Sequence, residues 1–209
     1  MKMKSFAAII AISLTVSIIA LMFGLANDWR ADSTNSISFS LENVHASVSV
    51  SFGNKHGAAI SANGDLYTWG SNSSGQLGNG EIGGYVDTPT KVPGISDVVS
   101  VSLGSAHSAA ITANGDLYTW GCNSSTYDEY GFQYTDTPTK VPGLTDVVTV
   151  SLGYRNTAAI TADGSLYTWG STYGGVLGDG TIGEQWDFRR EPLRIMENVM
   201  IPNNVRQTE

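Results

Sequence analysis

The chain repeats itself, and no other feature constrains its fold so strongly. The segment Ala-Ala-Ile-Ser-Ala-Asn-Gly-Asp-Leu-Tyr-Thr-Trp-Gly at 58–70 returns, little changed, at 109–121 and 158–170. Trp69 and Trp120 stand 51 residues apart, Trp120 and Trp169 49 apart. The difference lies in one loop, because Asp87 follows its tryptophan by 18 residues and Asp136 by only 16. A period of this length marks a supersecondary module that cannot bury both faces alone and must stack on its neighbours.

Each unit resolves into short strands. Val48, Val50 and Phe52 alternate with serine, and Val99, Val101 and Leu103, then Val148, Val150 and Leu152, alternate with Ser or Thr. That period predicts a strand with one apolar face, ending at Gly53, Gly104 or Gly153. Ala-Ala-Ile-Ser/Thr then runs into Asn63-Gly64, Asn114-Gly115 or Asp163-Gly164, dipeptides that predict a type I′ hairpin turn with positive φ at both central residues. Leu-Tyr-Thr-Trp-Gly supplies the returning strand, closing on Gly70, Gly121 or Gly170. Thr-Pro-Thr-Lys-Val-Pro-Gly supplies an edge, since proline cannot donate to a central ladder. Four strands per unit is the content of a propeller blade, and closed propellers have about four to eight blades. The expected fold is therefore all-β, an incomplete β-propeller or open arc of about three four-stranded blades over 46–209. Trp69, Trp120 and Trp169 are expected at equivalent blade-to-blade contacts. The segment Ile-Met-Glu-Asn-Val-Met-Ile-Pro after Arg194 parallels 92–99 and reads as the start of a fourth unit.

Ahead of the repeats, Lys2 and Lys4 precede an uncharged run from Phe6 to Ala26. One apolar helix is expected over 1–26. Its length suits a membrane span, while Gly24 and Ala26 fit a small-x-small cleavage pattern, so it reads equally as a signal-anchor or a signal peptide. Either way the repeats are expected to be exported across the cytoplasmic membrane. Residues 27–45, rich in Ser, Thr and Asn, read as a tether.

Charge and chemistry exclude several functions. The net charge is −8, and only Lys55, Lys91 and Lys140 lie between Arg30 and Arg155, so a nucleic-acid partner is not expected. A single cysteine, Cys122, permits no intrachain disulfide and stands where the sister units have Ser71 and Ser171. No nucleophile elbow or phosphate loop occurs, and no metal or other cofactor is expected. Asn79, Glu81, Asp179 and Glu184 lack the dense spacing of calcium loops. Asn72-Ser73-Ser74 and Asn123-Ser124-Ser125 are formal glycosylation acceptors.

The residues Gly53, His56, Ala59, Ile60, Asn63, Gly64, Leu66, Tyr67, Trp69, Gly70, Asn72, Gly75, Gln76, Leu77 and Gly78 resemble the regulator of chromosome condensation repeat. The resemblance extends over about 47–201 in three units and implies a propeller, seven-bladed in complete members. Two departures stand out: the second unit replaces Gly-Gln-Leu-Gly with Ser-Thr-Tyr-Asp-Glu-Tyr-Gly, and Asn156 replaces the histidine of His56 and His107. Because His56 and His107 share one repeat position, they are expected to be structural.

Function in a repeat scaffold is expected where the units differ. The loops after the tryptophans do so. The second carries Tyr127, Asp128, Glu129, Tyr130, Phe132 and Tyr134, the third Tyr173, Gln185, Trp186, Asp187, Phe188, Arg189 and Arg190. Aromatic and charged clusters of this kind suit a protein partner. The expected role is a non-enzymatic protein-interaction domain, with self-association through open blade edges also expected. The alternative is a secreted hydrolase or carbohydrate-binding protein whose aromatic loops grip sugar. Nucleotide exchange, as in the family's nuclear namesake, conflicts with the export signal.

Overall fold

The computed structural model describes residues 49–122, 127–128, 131–132, 134–184 and 187–199. The apolar segment 1–26 and the tether 27–45 lie outside them. Among the described residues no helix is long and apolar enough to cross a membrane.

Three antiparallel four-stranded sheets follow one another, one per unit. The first holds β1 (Val50–Phe52), β2 (His56–Ile60), β3 (Leu66–Ser71) and β4 (Tyr85–Lys91) in that order. The second holds β5 (Val98–Leu103), β6 (His107–Thr112), β7 (Leu117–Gly121) and β10 (Thr135–Lys140). Between its last two strands, β8 (Tyr127–Asp128) and β9 (Gly131–Phe132) form a separate small hairpin. The third holds β11 (Val147–Leu152), β12 (Asn156–Thr161), β13 (Leu166–Ser171) and β14 (Phe188–Met196). Among the described residues the architecture is an open arc of three blades. Pro89, Pro138 and Pro192 fall in β4, β10 and β14, the outer edge strands, where a missing N–H costs no ladder bond.

Two local expectations are corrected. The hairpin after β2 is not type I′, because Asn63, Asn114 and Asp163 are absent from the positive-φ residues. Gly64 N–H donates to Ser61 O at 2.9 Å while Ser61 N–H donates to Asp65 O at 2.9 Å, and Gly64 takes φ +77°. This is a three-residue loop, a turn followed by a left-handed glycine that closes it as a bulge. Units two and three repeat it at Gly115 and Gly164. The second correction concerns β5 and β11. A bulge shifts the register between Val98 and Ser100, and again between Val147 and Thr149. Val98 and Val147 therefore turn inward, and Val99 turns outward, where strict alternation put Val99 with Val101 and Leu103.

Adjacent units are joined in three ways. The hairpin glycine of one unit accepts a backbone bond from the start of the next, Val98 N–H to Gly64 O and Val147 N–H to Gly115 O, both at 2.9 Å. Val199 N–H makes the same 2.9 Å bond to Gly164 O, and Asn198, at φ +59°, repeats the backbone of Asp97 and Asp146, so 198–199 occupy the place where a fourth unit begins. Serines of the first strands form a second link: Leu103 N–H donates to Ser51 Oγ at 3.2 Å and Leu152 N–H to Ser102 Oγ at 3.1 Å. These serines are interblade connectors, not merely the wet face of a strand. Replacing Ser102 with Ala should cost about 1 kcal/mol, whereas Ser151→Ala, at the exposed equivalent position, should be neutral in the monomer; urea midpoints of the two variants at low protein concentration check this.

The third link is the core. Between units one and two, Ala58, Ile60, Leu66, Val92 and Ile95 pack against Val98, Val101, Leu103, Ala110 and Trp120. Between units two and three, Ala109, Ile111, Leu117, Val141 and Leu144 meet Val147, Val150, Ala159 and Trp169. Trp120 and Trp169 are buried as expected. Trp69 is not: it is half-exposed, because among the described residues no blade precedes the first, and its ring lies over Gly57 with Phe52 edge-on at 6.0 Å.

Candidate interaction surface

The repeat histidines belong to the architecture. His56 opens β2 and His107 opens β6, both buried. Ser108 Oγ lies 2.7 Å from Gln76 O and 3.0 Å from His56 Nε2. A carbonyl can only accept, so the hydroxyl proton goes to Gln76 and His56 donates through Nε2–H. Its other nitrogen, Nδ1, is then unprotonated and buried without a partner. Burial holds both imidazoles neutral, with pKa lowered to about 4; for His107 the nearby His56 adds to the effect. The histidine ring lies over the glycine three residues earlier. A Cβ on Gly53 would strike the His56 ring, one on Gly104 the His107 ring, and one on Gly153 the Asn156 amide oxygen. Asn156 thus replaces the histidine within the same geometry. Gly70, Gly121 and Gly170 hold left-handed φ values where β3, β7 and β13 run against the preceding chain reversal.

The loop after Trp69 is closed by its own hydrogen bonds and cradles the next tryptophan. Asn72 Nδ2 donates to Asn79 Oδ1 at 3.0 Å and Glu81 O at 2.8 Å, while its Oδ1 accepts from Leu77 N–H at 3.0 Å. With its amide buried and used twice, Asn72 is not presented as a glycosylation acceptor; Asn123 lies outside the described residues. Trp120 Nε1 donates to Gln76 O at 2.9 Å, and a Cβ on Gly78 would sit 2.7 Å from that nitrogen. The sequence Gly-Gln-Leu-Gly is therefore a seat for an indole.

Cys122 stands in for serine. Its N–H bonds Ala106 O at 2.8 Å as Ser71 N–H bonds Lys55 O at 2.9 Å. Burial raises the thiol pKa against an opposing pull from Arg155, which disfavours the reactive thiolate. Among the described residues no group of three or more His, Cys, Asp and Glu is placed to hold a metal.

The third loop differs most. Asp179 closes an Asx turn, its Oδ1 accepting from Thr181 N–H at 2.9 Å and Thr181 Oγ1 at 2.5 Å. Its Oδ2 accepts Arg189 Nε at 3.0 Å and Nη2 at 2.7 Å. The Thr181 bonds, then Arg189, lower the Asp179 pKa to about 2. Asp187 Oδ2 accepts Glu184 N–H at 2.8 Å, and its carbonyl takes Thr172 N–H at 3.0 Å. Around these anchors lies a hollow of about 500 Å³ lined by Thr172, Thr181, Ile182, Gly183, Asp187, Phe188 and Arg189.

Of the loop residues singled out in the sequence, Asp187, Phe188 and Arg189 are thus brought together, and Arg190 is exposed beside them. Asp187 and Arg189 also brace the loop itself. Tyr127 and Asp128 lie in β8, opposite Phe132 and Gly131, with the side chains outside the described residues. Tyr134 is exposed, while Glu129, Tyr130, Gln185 and Trp186 lie outside the described residues. Sequence reasoning missed Ile182, 84% exposed on the rim of the hollow. An isoleucine after Gly-Asp-Gly-Thr gives no period to read.

Comparison with known proteins agrees with this geometry. The regulator of chromosome condensation (RCC1) repeat matches residues 63–111, and a second form of it matches 48–76, 98–126 and 147–175. The human E3 ubiquitin-protein ligase HERC2 is 45% identical over 76 residues, covering 35% of this chain and 2% of the ligase. Prp20p of Saccharomyces cerevisiae, described with its binding to Gsp1p and histones, superposes with TM-score 0.61 at 25% identity, over 71% of this chain and 38% of that one. Human WBSCR16 gives 0.58 at 26%, over 71% and 37%. The chain thus spans less than two-fifths of these solved propellers and a small fraction of the ligase. Three blades with one repeated glycine, histidine or asparagine, and tryptophan framework place the chain in the regulator of chromosome condensation (RCC1) repeat family, a β-propeller type of protein-interaction domain.

Proposed function

We propose that the chain is an extracytoplasmic, non-enzymatic interaction domain that meets a protein partner through the loops following its repeat tryptophans. The observation that carries this is the third loop: a braced hollow lined by exposed Ile182, half-buried Phe188 and Arg189. Rigid apolar and arginine contacts are the currency of binding hot spots. Related propellers also bind proteins, one being solved as yeast RCC1 (Prp20) bound to Kap60. Among the described residues, the carboxylates with shifted pKa, Asp163 and Asp179, are both shifted down, whereas a glycosidase acid needs a raised one.

Ile182→Asp should lower capture of the partner from a lysate of the source organism at least tenfold while leaving the urea midpoint unchanged. A partner footprint that avoids both 127–134 and 182–190 would sink the assignment. Location is tested separately. Lys2 and Lys4 before the apolar run 6–26 predict that protease added outside intact cells reaches the repeats, and full protection until lysis would refute export.

A further inference from the structure

Unit three rebuilds the indole seat of unit one, but with no indole in it among the described residues; the nearest side chain to Gly178 is Ile195, whose Cδ1 lies 3.5 Å from where a Cβ on Gly178 would stand. Gly175 N–H bonds Thr172 O and Gly178 N–H bonds Gly175 O, both at 3.1 Å, as Gly75 N–H bonds Asn72 O at 3.1 Å and Gly78 N–H bonds Gly75 O at 3.0 Å. Thr168 Oγ1 donates to Leu177 O at 2.8 Å, matching Thr68 Oγ1 to Leu77 O at 2.8 Å. Gly175 and Gly178 take φ +74° and +71°, against +73° and +69° at Gly75 and Gly78. Yet Gly75 to Gly78 are buried beneath unit two, whereas Val176 and Gly178 are exposed. Beside the seat, Ala158, Ile160 and Leu166 are half-exposed, where Ala58, Ile60 and Leu66 and also Ala109, Ile111 and Leu117 are buried.

The opposite end of the arc presents the complementary half. Val50 and Phe52 are 57% and 69% exposed and Trp69 is half-exposed, at the positions where Val101, Leu103 and Trp120 fill the core between units one and two. We infer that a second copy of this chain docks head to tail. Trp69 of one copy enters the seat of the other and donates to the Val176 carbonyl, as Trp120 donates to Gln76, and Phe52 N–H meets Ser151 Oγ, as Leu103 and Leu152 N–H meet Ser51 and Ser102. The contact continues an interface that the chain builds twice internally, which is why a second copy is the occupant that fits. It is heterologous, joining two different surfaces, and its seat borders the third-loop hollow, since a Cβ on Gly175 would stand 3.5 Å from Ile182.

The test uses the full-length chain with Cys122→Ser, carrying either Phe52→Cys or Ser151→Cys, and a short bis-maleimide. Mixing the two variants should give cross-linked pairs at least tenfold above either variant alone. Adding Trp69→Ala or Ile160→Glu should remove at least nine-tenths of the product; Trp69→Ala guards against loss through misfolding, since Trp69 is half-exposed and the blade cores do not include it. Equal cross-linking of like with like, or a yield indifferent to Trp69→Ala, would overturn the proposal. So would no cross-linking between folded chains, which would mean that residues 200–209 or another protein covers the face.

Discussion

Lowering the pH from 7 to 4.5 is expected to destabilise the repeat domain by several kcal/mol, before most carboxylates titrate. His56 and His107 are held neutral, with pKa near 4 against an ordinary value of 6.5. A histidine whose folded pKa is depressed binds fewer protons than its unfolded counterpart throughout that interval, so stability rises with pH there. The contribution is complete above about pH 6.5 and is lost progressively as the pH falls to 4. A depression of this size corresponds to about 3 kcal/mol for each histidine, and the two together rival the roughly 5–15 kcal/mol that holds a typical domain. The cause is local: protonating His56 puts a proton on Nδ1, which has no partner. Asp179 acts in another window. Its depressed pKa stabilises the fold above the ordinary carboxylate range and is lost only as the pH falls toward 2. Urea midpoints at pH 7, 6, 5 and 4.5, at one ionic strength, check the prediction. His107→Asn, which copies Asn156 of the third unit, should flatten about half of the slope. A midpoint constant from pH 7 to 4.5 would show that the histidines charge without cost, contrary to their burial.

Much of this arrangement was legible in the sequence. Three units, four strands in each, proline on the outer edges and glycine three residues before each histidine all follow from spacing and residue type. What escaped has physical reasons. The bulges at Val98 and Val147 change which valine faces inward, and a run of adjacent valines shows no sign of the switch. Asn63-Gly64 suits a two-residue turn and a three-residue loop closed by glycine equally well, and strand register decides between them. The roles of Ser51 and Ser102 depend on the neighbouring unit, so no single repeat discloses them. Of the candidate surface, the aromatic loops were found by asking where the units differ. Ile182 was not, because exposure of one apolar residue is a property of the folded loop.

Trp69 and Trp120 occupy one repeat position in nearly identical strands, yet their removal should have very different effects. Trp120 is fully buried, its ring packed among Val101, Leu103 and Ala110 and its Nε1 bonded to Gln76 O at 2.9 Å. Trp120→Ala loses the transfer energy of the ring and leaves a cavity, together about 3–5 kcal/mol. In a repeat array that loss falls on the interface between units one and two, on which the stacking of the first unit depends. Trp120→Phe should cost less, since it keeps most of the packing and forfeits mainly the hydrogen bond, about 1–2 kcal/mol. Trp69 has no preceding blade among the described residues and packs on the edge of Phe52 and over Gly57. Trp69→Ala should therefore cost the monomer about 1 kcal/mol or less, as a change at a half-exposed position does. Urea denaturation of the three variants at low protein concentration measures the differences. An equal loss for Trp69→Ala and Trp120→Ala would mean that the first unit's face is covered within the monomer. Repeating the series at high concentration extends the comparison: if copies dock through Trp69, the wild-type midpoint rises with concentration by mass action and that of Trp69→Ala does not.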